Sequence, residues 1–103
     1  MDESENYSMV EIEDLFTEFI NDKAMIAKIC KSFMVLGCEQ RVGMLPEEII
    51  NQVQVDTLDG KRTWKRGITT DRHFLMVGKS IISNTENKLS NFKLDEDFIE
   101  VCN

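Results

Sequence analysis

KAMIAKICKSFMVLG, residues 23–37, reads as a helix with its own stop signal. Ile26, Ile29, Cys30, Phe33 and Met34 recur at three- and four-residue spacings and form a wide apolar stripe. Lys23, Lys28 and Lys31 fall outside that stripe. Gly37 follows at the position where helices end in the left-handed conformation. A stripe this broad must be covered by neighbouring elements, so the segments on either side decide the fold.

Both neighbours repeat the helical period. Upstream, Val10, Ile12, Leu15, Phe16, Phe19 and Ile20 mark an amphipathic helix starting near Ser8. Ser8 followed by Glu11 is a capping-box pair. Asn21-Asp22 ends that helix and offers a cap for the next. Residues 1–8 are expected to be disordered. Downstream, a short helix is expected over about 38–44. Pro46 then opens a fourth helix, with Glu47 and Glu48 in the first turn of a segment running to about Gln52.

At Val53 the period changes. Val53, Val55 and Thr57 alternate with polar residues, and Asp59-Gly60 is a turn signal. Residues 53–66 are therefore open to two readings, a short hairpin or an ordered loop. Thr69 or Thr70 can cap a fifth helix over about 71–83, burying Phe74, Leu75, Val77, Ile81 and Ile82. SNTENKLSN, residues 83–91, reads as a turn region. A last short helix starts near Leu94 and buries Phe98 and Val101. The expectation is one all-α domain over residues 1–103, a bundle of five or six short helices.

The chain has 103 residues and a net charge of −7. Its length suits one domain with one modest core. No apolar run reaches the roughly 18 residues that span a membrane. The start, MDESENYS, is acidic, unlike a secretory leader, so an intracellular location is expected. Cys30, Cys38 and Cys102 form no paired spacing with one another or with His, so no zinc site and no cofactor is expected. Cys30 reads as a core residue and the other two as free thiols. His73 is the lone His and reads as structural, with Asp71 pointing away from it on a helix. No nucleophile motif, P-loop or calcium loop is present, and the chain is read as non-catalytic.

One stretch departs from the acidic background. Residues 61–79, KRTWKRGITTDRHFLMVGK, carry six bases and one acid, whereas residues 1–22 hold eight acids and no base. Lys61, Arg62, Lys65 and Arg66 surround Trp64, the only Trp. Bases neutralise phosphates, and an aromatic can stack on an unpaired base for about 1–3 kcal/mol. Thr63, Thr69 and Thr70 can donate hydroxyls to phosphates, and a helix beginning there adds free N–H groups. The alternatives are that Trp64 packs in the core, and that the basic segment pairs with the acidic N-terminal helix or with a partner's acidic surface.

The order of these pieces resembles the RNA-binding domain of the PHAX family, the phosphorylated adaptors for RNA export. The matching pieces are MIAKICKSFMVLG (25–37), MLPEEIINQ (44–52), LDGKRTWKRG (58–67) and HFLMVGK (73–79), within residues 24–83. The chain departs from the family in having Trp64-Lys65-Arg66 before a single Gly67, where the family carries paired glycines in a more basic loop. The resemblance implies an all-α domain that binds single-stranded RNA with little base specificity. It also implies small nuclear RNA as cargo, an export-adaptor role, and a place in both nucleus and cytoplasm. Gly60, Lys61, Arg62, Thr63 and Gly67 carry over by position, and Arg66 by charge. With Trp64, Lys65, Thr69 and Arg72 they make the candidate RNA-binding set. The rival reading is a helical protein–protein interaction module, or a homodimer, working through the acidic N-terminal helix and the basic loop.

Overall fold

The computed structural model describes the backbone of residues 5–102 and the side chains of residues 5–90. The described residues form five helices and no strand: α1 (Met9–Ile20), α2 (Lys23–Val35), α3 (Cys38–Val42), α4 (Pro46–Leu58) and α5 (Thr70–Cys102). The molecule is elongated, with extents of 58 × 33 × 16 Å. Helix α5 sets the long axis, since 33 residues at a rise of 1.5 Å span about 50 Å.

The local signals operate where they were read. The Ser8 hydroxyl accepts from the Glu11 N–H, and the Glu11 carboxylate accepts from the Ser8 N–H, closing the capping box of α1. Asp22 caps α2 by accepting from the Met25 N–H at 3.1 Å. Pro46 begins α4, and the Glu48 carboxylate reaches back to the Leu45 N–H at 2.7 Å. Gly37 and Gly43 bracket α3 with φ of 75° and 71°.

Two elements differ from the sequence reading. Helix α4 does not stop at Gln52 but runs to Leu58, so residues 53–66 form no hairpin. Val53 and Thr57 lie one turn apart, and both are buried, so what resembled strand alternation is a helical face. Helix α5 does not stop at Ser83 either. SNTENKLSN contains no Gly or Pro, so nothing in its backbone chemistry ends a helix that has already begun. The Arg41 guanidinium holds its flank with two bonds to Glu86, at 2.6 and 3.1 Å. The short last helix expected from Leu94 is therefore part of α5. The expected burial of Phe98 and Val101 lies outside the described side chains.

Helix α5 packs on α2, α3 and α4, and α1 lies across α2 and α4. The core comprises Ile12, Phe16 and Phe19 of α1, Ile29 and Phe33 of α2, Cys38 and Val42 of α3, Ile49, Ile50 and Val53 of α4, Trp64 of the loop, and Phe74, Val77, Ile81 and Ile82 of α5. Val10, Ile20 and Met34, expected on apolar stripes, are instead exposed. Leu75 is only half-buried. The buried thiol is Cys38, and Cys30 is half-buried; burial raises the pKa of both.

Helices α2 and α5 approach closely at Gly78. Gly78 lies against the fully buried Phe33 ring, and a Cβ there would overlap Phe33 Cε1 and Cζ and come within 3.3 Å of Ile49 Cγ2. Ala favours a helix over Gly by about 1 kcal/mol, but the overlap falls on an aromatic with no room to retreat. Gly78→Ala is expected to lower stability by a net 1–2 kcal/mol or so. Adding Phe33→Leu to it should recover part of the loss. Chemical denaturation of the two variants decides this. A Gly78→Ala chain more stable than the parent would show that the helices can part.

Candidate nucleic-acid interface

The basic island begins at the end of α4. Gly60 (φ 82°) turns the chain, and the Gly60 N–H donates to the Thr57 carbonyl. The Lys61 and Arg62 N–H groups both donate to the Asp56 carbonyl, at 2.9 and 3.2 Å. This closes the helix in the manner of a Schellman motif. It also sets two cations beside the negative end of the α4 dipole. Both side chains line a polar cleft of about 350 Å³ between the turn, α4 and α5. Lys88 lines it from α5, with Asn84 and Thr85 one turn earlier. Gln52 and Asp56 lie on the α4 side, where the Gln52 amide donates to the Asp56 carboxylate at 2.8 Å. Lys61, Arg62 and Lys88 form no ion pair among the described residues.

Trp64 is the main correction. Its side chain is only 1% exposed, so the indole is core and offers no face to a base. Its Nε1–H donates to the Ile68 carbonyl at 2.8 Å. The indole stacks on His73 at 4.3 Å with rings 4° from parallel, meets Tyr7 edge-on at 5.5 Å and touches Phe16. His73 is equally enclosed. The Thr57 hydroxyl donates to the Val53 carbonyl, so its oxygen is left to accept from His73 Nε2–H at 3.0 Å. Burial without a counter-charge pulls the His73 pKa from 6.5 down to about 4.

Arg66 faces the N-terminus. Its guanidinium makes two bonds to Glu11, at 2.6 and 2.8 Å, and lies 5.1 Å from the Tyr7 ring centroid. The Arg66 bonds, followed by the Ser8 N–H, hold the Glu11 carboxyl at about 2 against an ordinary 4.5. The backbone closes the same contact. The Tyr7 N–H donates to the Trp64 carbonyl at 2.8 Å, the Arg66 N–H donates to the Glu5 carbonyl at 2.7 Å, and Asn6 and Lys65 form an antiparallel bridge. Residues 5–8, expected to be disordered, are a strap along the basic loop; residues 1–4 lie outside the described residues. The pairing of basic segment with acidic N-terminal helix occurs here within one chain.

Thr69 and Arg72 stand at the start of α5 and do not line the cleft. The Thr69 hydroxyl donates to the Asp71 carboxylate at 2.6 Å, and Lys28 reaches the same carboxylate at 3.1 Å. Thr69, then Lys28, hold the Asp71 pKa below its ordinary value. The anion site expected at this helix end is therefore filled by Asp71 itself. Thr63 and Lys65 are exposed beside the cleft residues, and Gly67 (φ 90°) turns the loop back so that the Ile68 N–H meets the Lys65 carbonyl. Sequence reasoning missed Lys88, Asn84 and Thr85, because they fall in the stretch read as a turn. Among the described residues no cluster of His, Cys, Asp and Glu could hold a metal ion. No described helix is long and apolar enough to cross a membrane.

The two shifted groups titrate in different windows. Unfolded His73 takes up a proton near pH 6.5, whereas folded His73 waits until about 4. Stability is therefore full above pH 6.5 and falls as pH drops towards 4, by up to about 3 kcal/mol. The Glu11 contribution is present above its unfolded value of 4.5 and is lost below that, as pH falls towards 2. Denaturation midpoints between pH 7 and 4 should fall in the parent and stay nearly level in His73→Phe. Equal slopes in the two chains would mean that the imidazole is not held neutral. No family model, curated protein or solved structure matches this chain.

Proposed function

We propose that the chain is a non-catalytic domain that binds single-stranded RNA through its sugar-phosphate backbone. The observation that carries the reading is the convergence of Lys61, Arg62 and Lys88, none of them ion-paired among the described residues, on one polar cleft. Three cations in a concave site can neutralise successive phosphates. Asn84, Thr85 and Gln52 bring amide and hydroxyl groups that suit phosphate and ribose oxygens. The Asp56 carboxylate is partly occupied by Gln52, which lowers its repulsion of an incoming strand.

The buried Trp64 changes the mode of binding from the one first expected. With the indole closed off, base stacking at that position is absent from the proposal, and affinity comes from charge. Binding of this kind reads little sequence. It must also work against the chain's charge of −7, so it is short-ranged and salt-sensitive. The DGKRT segment, which carries the resemblance to the RNA export adaptors, includes Lys61 and Arg62 of the cleft lining. The export role, small nuclear RNA as cargo, and a nuclear and cytoplasmic location rest on that resemblance alone.

Titration of the full chain with a labelled single-stranded oligonucleotide at several salt concentrations tests the reading. Three phosphate contacts give a slope of log affinity against log salt of about −2. Lys61→Glu with Arg62→Glu should weaken binding about tenfold or more, a change of at least 1.4 kcal/mol. Lys23→Glu, on α2 and outside the cleft, should change it little. Trp64 emission should show no stacking quench on binding. Absence of salt-dependent binding by the parent would sink the function, and undiminished binding by the double variant would sink the site.

A further inference from the structure

A second surface differs from the cleft in having an apolar floor. Between α2 and the first half of α5 runs a groove of about 550 Å³ with an apolar floor of Val35, Leu36 and Leu75. Lys28, Lys31 and Lys79 rim it. Val35 is 80% exposed, and Met76 beside Leu75 is also exposed. Lys28 is engaged by Asp71, while Lys31 and Lys79 form no ion pair among the described residues. An apolar floor between rows of ammonium groups suits a helix that carries an apolar stripe flanked by acids.

The chain contains such a sequence. Residues 91–102 continue α5, and in sequence they place Asp95, Glu96, Asp97 and Glu100 around Leu94, Phe98 and Val101, with Lys93 as the only base. The other acidic helix, α1, does not qualify. Its stripe of Ile12, Phe16 and Phe19 is already in its own core. We infer that the groove receives the acidic end of α5 from a second copy of the chain, forming a homodimer.

Geometry favours a closed pair. The groove centres on α5 near residue 77 and the acidic stretch near residue 97, about 30 Å apart along one helix. Two antiparallel α5 helices related by a two-fold axis near Asn87 place each acidic end over the other copy's groove. Both contacts then form at once, and the assembly stops at two. The strap pairing of Arg66 with Glu11 is left intact, so the basic loop and α1 take no part.

The test uses the full chain without RNA, which keeps it separate from the proposed function. Sedimentation or light scattering over a wide concentration series should show a monomer–dimer equilibrium that weakens with salt. Val35→Asp and Lys79→Glu alter exposed side chains and should leave the far-ultraviolet dichroism unchanged. Each should raise the dimer dissociation constant about tenfold or more. Adding Asp97→Lys to Lys79→Glu should restore dimerisation, because it exchanges the two signs across the interface. A chain that stays monomeric throughout overturns the inference. So does a dimer indifferent to Val35→Asp and Lys79→Glu, or a Lys79→Glu defect that Asp97→Lys fails to relieve.

Discussion

The burial of Trp64 is the constraint on which the rest of the structure depends. The N-terminal strap, α1 and the start of α5 come together at one place. The indole enters it, with His73 stacked on one face, Tyr7 at its edge and Phe16 alongside. Filling such a space with an aromatic of this size is worth about 3–5 kcal/mol, judged from what truncation to Ala costs in a core. The single hydrogen bond from Nε1 to the Ile68 carbonyl fixes the depth of insertion and satisfies the one polar atom of the ring. A loop with no helix or strand of its own thereby becomes part of the core.

The placement of charge follows from that anchor. With residue 64 facing inward, Thr63, Lys65 and Arg66 on either side are exposed. Four bases and an aromatic, which in sequence look like a single nucleic-acid site, are divided by the fold among separate tasks. Trp64 holds the loop, Arg66 fastens it to the N-terminus, and Lys61 with Arg62 faces the cleft. The cations left for an anionic ligand are fewer than the sequence count, and Lys88 joins them from a distant part of the chain.

How much was legible depended on the range of the interaction. Caps and stops are local, so Ser8 with Glu11, Asp22, Gly37 and Pro46 could be read directly and stand where expected. The end of α4 could not. Val53, Val55 and Thr57 are β-branched and alternate, and only packing of Val53 and Thr57 against the core makes that segment helical. The long reach of α5 was hidden for the opposite reason. Residues 83–90 hold Leu89 as their one large apolar side chain, and a polar helical stretch of this kind resembles a turn. The inward turn of Trp64 left no trace in residues 61–66, because a ring surrounded by bases reads the same whether it points in or out. Two of its partners, Tyr7 and Phe16, are remote in sequence.

The strap of residues 5–8 has a consequence for the order of assembly. Each helix and its caps form from neighbours a few residues apart, but the bridge from Asn6 to Lys65 closes a loop of about sixty residues. Contacts of that range bear the largest closure entropy and add the least until the helices they join are in place. The strap is thus expected to lock last in folding and to open first in fluctuation. The Tyr7 and Arg66 amides that hold the strap would then exchange before the amides of the helices, while Trp64 keeps the loop beneath anchored in the core.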